Sequence, residues 1–171
     1  MKKNTWLLLL ILLITVLVVT ACGQDNEKKS WDTYENPYYT LQYPDDYTVQ
    51  EEDMEIMIST LFMDEEEEKM IGITMNSLTD DFTEEELYAI WDEDLVEMED
   101  TQDDFYFKER DVQGNKAYEV HFNFSREERI FRVLTIHEGF MFSMDARVPQ
   151  EAFDDFLPTP QQMIESLEFQ K

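Results

Sequence analysis

Residues 117–124 (AYEVHFNF), followed by 129–136 (RIFRVLTI) and 140–146 (FMFSMDA), decide the fold. In the first run Tyr118, Val120, Phe122 and Phe124 alternate with Glu119, His121 and Asn123, a period of two that places one face of a strand on a core. The second run is apolar at nearly every position from Ile130 to Ile136, as a central strand covered on both sides requires. In the third, Phe140, Phe142, Met144 and Ala146 alternate again. Gly114-Asn115 and Glu138-Gly139 interrupt these runs where tight turns are needed. The reading is an antiparallel meander.

Upstream the signals are also strand-like. Tyr39, Leu41 and Tyr43 alternate with Thr40 and Gln42, and Pro44-Asp45-Asp46 marks a turn. Short strands follow at Tyr47–Glu51, around Ile56, Ile58, Leu61 and Phe62, and from Lys69 to Leu78, with the acidic run Asp64–Glu68 as a hairpin loop. The period then changes. Thr83 followed by Glu86 forms a capping box, and Leu87, Ile90, Trp91, Leu95 and Met98 fall on one helical stripe that ends near Asp100. Pro149 begins a helical stretch through Phe156; Pro158 and Pro160 break it before a last helix bearing Met163, Ile164 and Leu167. Strands in one block with few helices give an α+β fold, an antiparallel sheet with helices packed on it.

The N-terminal segment is of another kind. Lys2 and Lys3 precede an apolar run from Trp6 to Val19, too short for a comfortable membrane span, and Val19-Thr20-Ala21-Cys22 resembles the bacterial lipobox. That resemblance makes residues 1–21 a signal peptide. It makes Cys22, the only cysteine, the diacylglyceryl-bearing N-terminus of a lipoprotein on the extracytoplasmic face of a membrane. Two acyl chains anchor stably where one is marginal. Residues 22–33 read as lipidated cysteine and flexible tether, and 34–171 as one domain.

Thirty-six residues on, a wider resemblance becomes visible. The stretches NPYYTLQYPDDYTV (36–49), TEEELYAIWDEDL (83–95), VQGNKAYEVHFNF (112–124), RIFRVLTIHEGFMFSM (129–144) and MIESLEF (163–169) resemble the PsbP-like family in order and spacing. The resemblance implies an αβα sandwich around a central antiparallel sheet. It implies no activity and assigns no functional residue.

Forty acidic residues against 13 basic ones give a net charge of −27. A field of that sign repels nucleic acid and anionic head groups and attracts cations and basic proteins; a solvated acidic surface also suits a salty or alkaline exterior. Enzyme and cofactor motifs are absent: four scattered glycines make no phosphate loop, and no Gly-x-Ser-x-Gly occurs. The only histidines, His121 on a polar strand face and His137 before a turn, read as exposed. The Asp64–Glu68 run lacks a glycine to wrap it round calcium, and the adjacent pairs Asp80-Asp81, Asp103-Asp104 and Asp154-Asp155 point apart, so weak, nonspecific cation binding is expected. Methionines such as Met57, Met70, Met75, Met98, Met144 and Met163 read as core filler. Trp31, Tyr34, Tyr38 and Tyr39 cluster where tether meets domain and suit a protein interface, though sealing the sheet's edge is the stronger reading. The expected function is a non-catalytic accessory module that engages an envelope protein through its acidic surface. The alternative is a small-ligand or calcium receptor with a pocket between sheet and helices.

Overall fold

The computed structural model describes residues 30–54, 57–66, 68–79 and 82–170. Strands β1 (Trp31–Glu35), β2 (Tyr39–Pro44) and β10 (Glu168–Phe169) pair antiparallel in the order β1-β2-β10. Strands β3 (Thr48–Met54), β4 (Met57–Met63), β5 (Met70–Ser77), β6 (Tyr106–Val112), β7 (Asn115–Asn123), β8 (Glu128–His137) and β9 (Phe140–Pro149) form a larger antiparallel sheet. Its order is β3-β4-β5-β9-β8-β7-β6. Helix α1 (Glu84–Thr101) crosses one face; a short 3-10 turn leads into α2 (Phe153–Phe156) and α3 (Pro158–Glu165) on the other. Helices therefore lie on both faces of a central antiparallel sheet, as expected.

Two turns set the register. Gln113 and Gly114, and again Glu138 and Gly139, hold positive φ (54° and 81°, 48° and 81°), the geometry of two-residue hairpins whose twist matches the strands. They pin Val112 opposite Asn115 and His137 opposite Phe140. Because side chains alternate faces, these turns decide what every residue of four strands looks at.

The first face carries the main core. Tyr39 and Leu41 of β2, with Met163, Ile164 and Leu167 of the C-terminal segment, cover Phe62, Ile71, Ile73, Phe142 and Met144. The Tyr39 hydroxyl donates to Thr60 at 2.8 Å, so its burial leaves no polar atom stranded. On the second face Tyr88 and Leu95 of α1 pack with Tyr118, Val120 and Ile136. The Thr83 capping box is present, with Glu86 returning its carboxylate to the Thr83 amide at 2.8 Å.

The structure departs from sequence expectation in several places. Trp31–Thr33, expected in the tether, belong to β1 and pair with β2; residues 22–29 of that tether and the leader lie outside the described residues, as do Ile56, Glu67, Asp80 and Asp81. The expected break falls at Leu157, and Pro158 and Pro160 lie within the first turn of α3, not ahead of it, where amides have no intrahelical partner to lose. On α1, Ile90 and Met98 are exposed and Tyr88 is buried instead, so the buried stripe is narrower and rotated. And β7, not β8, is the strand most fully covered on both faces.

Tyr88 also mends the sheet. Its hydroxyl accepts from the Ile136 amide at 3.1 Å and donates to the Lys116 carbonyl at 2.5 Å, groups at the end of the β7–β8 ladder. Tyr88→Phe would strand the Ile136 amide, while the Lys116 carbonyl keeps the Thr135 hydroxyl at 2.8 Å, and we expect a loss of about 1–3 kcal/mol in urea unfolding. Thr83→Ala should cost only about 1 kcal/mol, from the lost cap.

Candidate binding groove and sheet face

Register shows what lies on the second face. On β5 and β9 burial alternates strictly: Ile71, Ile73, Met75, Phe142, Met144, Ala146 and Val148 are buried, and every residue between is half-buried. The buried set points at the main core. The half-buried set (Gly72 and Thr74 on β5, Ser143 and Asp145 on β9) pairs laterally with Leu61 and Ser59 on β4 and Arg132 and Leu134 on β8. No helix among the described residues covers them, since α1 packs over β6 to β8. Three half-buried methionines, Met57, Met70 and Met141, edge this face beside the buried Met63; the expectation that Met57 and Met70 fill the core is corrected, while Met75, Met144 and Met163 do fill it.

Its charge is nearly balanced. Across β3, β4, β5, β8 and β9 the second-face charges among the described side chains are Glu52, Arg132, Asp145, Arg147 and Glu128. Arg132 pairs with Asp145, and Arg147 pairs with Glu128 through two hydrogen bonds. In a chain of −27 this region is left with the single charge of Glu52 on the edge strand.

Where α1 meets this face, a groove of about 400 Å³ opens. Trp91, Leu95 and Met98 form its helix side, and Phe105, Val120, Phe122 and Leu134 its floor. The Arg132 guanidinium lies 5.5 Å from the Phe122 ring centre. Asp94 and Gln102 stand on the helix rim. Asn123 donates to Asp104 at 3.0 Å, while its buried Oδ1 has no donor among the described residues. The opposite flank of α1 is locked. Tyr118 donates to Asp92, Lys116 sits 3.1 Å from the same carboxylate, and its ammonium lies over the Tyr118 ring at 4.9 Å. Burial and then the Asp92 contact push the Tyr118 hydroxyl up to about 12, and the Tyr118 hydrogen bond lowers Asp92 below the usual carboxylate range.

The candidate chemistry lies elsewhere. Glu119 is 1 % exposed on the core face of β7, with Lys108 and Arg110 each at 2.8 Å and His121 Nε2 at 3.1 Å. Burial raises its carboxyl, but His121 and Lys108 hydrogen bonds and the charges of Lys108 and Arg110 outweigh this and hold it at about 2. His121, expected to be exposed, is buried between Tyr106, Phe131 and Phe153, because α2 covers the face that its polar neighbours suggested was wet. His137 is half-buried and stacks on Phe169 at 4.3 Å. The Glu119 cluster is an ion-pair hub: it holds no hydroxyl or thiol nucleophile.

Of the aromatic residues singled out upstream, Tyr34 and Tyr39 are buried in the main core, which corrects their expected exposure. Trp31 and Tyr38 are half-buried against the same core. They do not converge with the groove. Among the described residues no three His, Cys, Asp or Glu side chains are placed to hold a metal. Arg132 is the groove residue the sequence offered and reading passed over: it is the one charge within the apolar run 130–136, and it marks where the helix cover ends.

The sequence matches no protein-family model and no curated protein. Its fold does match solved structures. The solution structure of cyanobacterial PsbP (CyanoP) from Synechocystis superposes with TM-score 0.60 at 14% identity, covering 86% of this chain and 96% of that one. LpqN of Mycobacterium tuberculosis, described as involved in cell envelope biogenesis, superposes with TM-score 0.54 at 10% identity, covering 83% and 91%. The chain has a PsbP-like fold.

The Glu119 hub has a stability signature. A carboxyl held far below its ordinary value stabilises the fold above the ordinary carboxylate range, and that contribution fades as pH falls from there towards 2. Glu119→Gln should therefore cost about 3 kcal/mol at neutral pH. In urea titrations the gap from the parent chain should narrow steadily below the ordinary carboxylate range; a gap unchanged down to strong acid would remove the ion-pair account.

Proposed function

We propose that the chain is a non-catalytic binding module, anchored through a diacylglyceryl group on Cys22 at the extracytoplasmic face of a membrane. It engages an envelope protein through the open second face of its sheet. One observation carries this reading: in a strongly acidic chain, the broadest uncovered sheet face pairs its central charges, keeps only Glu52 at its edge, and is edged with methionine. Interface centres are depleted in unpaired charge and enriched in Met, Arg and aromatic residues, and a polar rim surrounds them. Methionine adds a soft surface that adapts to a partner's shape. The acidic surface expected to make the contact becomes its frame. It repels nucleic acid and anionic lipid and steers partners of opposite sign. An envelope setting accords with the described involvement of LpqN in envelope biogenesis.

The test is site-specific photo-cross-linking in living cells. A benzophenone side chain at Leu61 or Thr74 on the open face is compared with one at Thr33, which is exposed on β1 in the opposite layer. We expect one discrete protein adduct from Leu61 and Thr74, lost in the Cys22→Ala background, and none from Thr33. Equal adducts from all three positions, or none from the open face, would count against the module reading.

A further inference from the structure

We infer that the α1 groove receives a short basic segment of the partner, an apolar side chain seated against Trp91 and Phe122 with flanking Lys or Arg on the acidic rim. This rests on the binding-module reading and names the chemistry of its partner.

Four observations point the same way. The groove walls are aromatic or aliphatic, the surface that takes both an apolar anchor and the stem of a long cationic side chain. The rim is negative: Asp94 lines the groove, and Glu97, Asp100, Asp103 and Asp104 are exposed about the end of α1. No basic residue occupies the last turn, so the negative end of the helix dipole adds to these carboxylates instead of being offset. The groove's own cation is already spent, since Arg132 is paired with Asp145.

Size selects a polypeptide segment. The helix wall from Trp91 to Gln102 is roughly 16 Å long at 1.5 Å per residue. An extended chain crosses that distance in about five residues. An anionic or purely apolar occupant would bring unpaired charge or none against the acidic rim.

The full chain in neutral phosphatidylcholine nanodiscs is titrated with fluorescent peptides, read by anisotropy against empty discs. The probe Lys-Lys-Leu-Phe-Lys-Lys is compared with Glu-Glu-Leu-Phe-Glu-Glu and with Lys-Lys-Gly-Ser-Lys-Lys. We expect the first to bind about tenfold more tightly than either other, and to weaken with added salt. Asp94→Lys and Trp91→Ala should each weaken it about tenfold, while Asp32→Lys, the same charge change on exposed β1 in the opposite layer, should leave it within about twofold. Circular dichroism confirms that each variant is folded. Equal binding of the Gly-Ser peptide would reduce the effect to diffuse charge attraction and overturn the proposal. So would indifference to Asp94→Lys, or binding of hexyltrimethylammonium in the groove with no peptide binding. Cross-links from Leu61 and Thr74 alongside a failed peptide titration would leave the open-face reading standing and remove this inference alone.

Discussion

The molecule is governed by a mismatch of widths. Seven strands at ~4.8 Å spacing make a sheet roughly 29 Å across. An α-helix with its side chains is about 10 Å in diameter and shields little more than two strands. On the first face this is solved by addition: a three-stranded sheet, two short helices and the C-terminal segment together close the main core. On the second face a single helix lies over β6 to β8. The remaining strands must then carry side chains that tolerate partial exposure, and they do: Gly72, Thr74, Ser59 and Ser143 stand where larger apolar residues would need cover.

The charge distribution follows from the same geometry. Forty carboxylates cannot be paired by 13 cations, and many of those described lie on α1 and in loops, where water screens them. The few cations are concentrated where a carboxylate must be buried or a face kept neutral. Lys108 and Arg110 converge on Glu119, and Arg132 and Arg147 each neutralise one acid on the open face. Leaving Glu119 unpaired at 1 % exposure would be costly. Spending two cations on the open face is a choice of location that solubility alone does not require.

Much of the fold was legible because its signals are local. The capping box at Thr83, the positive-φ turns at Gly114 and Gly139, and the alternation in 140–146 each declare themselves within a few residues. What was not legible depends on partners far away in sequence. Glu119 and His121 read as solvent-facing from period alone, yet β7 is covered on both faces because α2, thirty residues downstream, folds back over it. Trp31–Thr33 read as tether because the strand character of β1 comes from pairing with β2 and not from an apolar period of its own. The helix stripe failed for a related reason. Ile90 and Met98 fit the period, but α1 sits at one side of a face it cannot fill, so only one flank is buried.

That asymmetry gives α1 two distinct jobs. One flank is fixed by polar locks: Tyr88 stitched into the β7–β8 ladder, and Asp92 held by Tyr118 and Lys116. The other presents Trp91, Asp94, Met98 and Gln102, spaced three and four apart and so aligned along the groove. Polar contacts are directional and apolar ones are not, so the locked flank sets where the helix lies, and the apolar flank needs no contact of its own to stay in place. A groove wall held from behind keeps its shape when empty, and a ligand entering it has little ordering cost to offset. The hydroxyl of Tyr88, remote from the groove, thereby becomes part of what makes the groove able to bind.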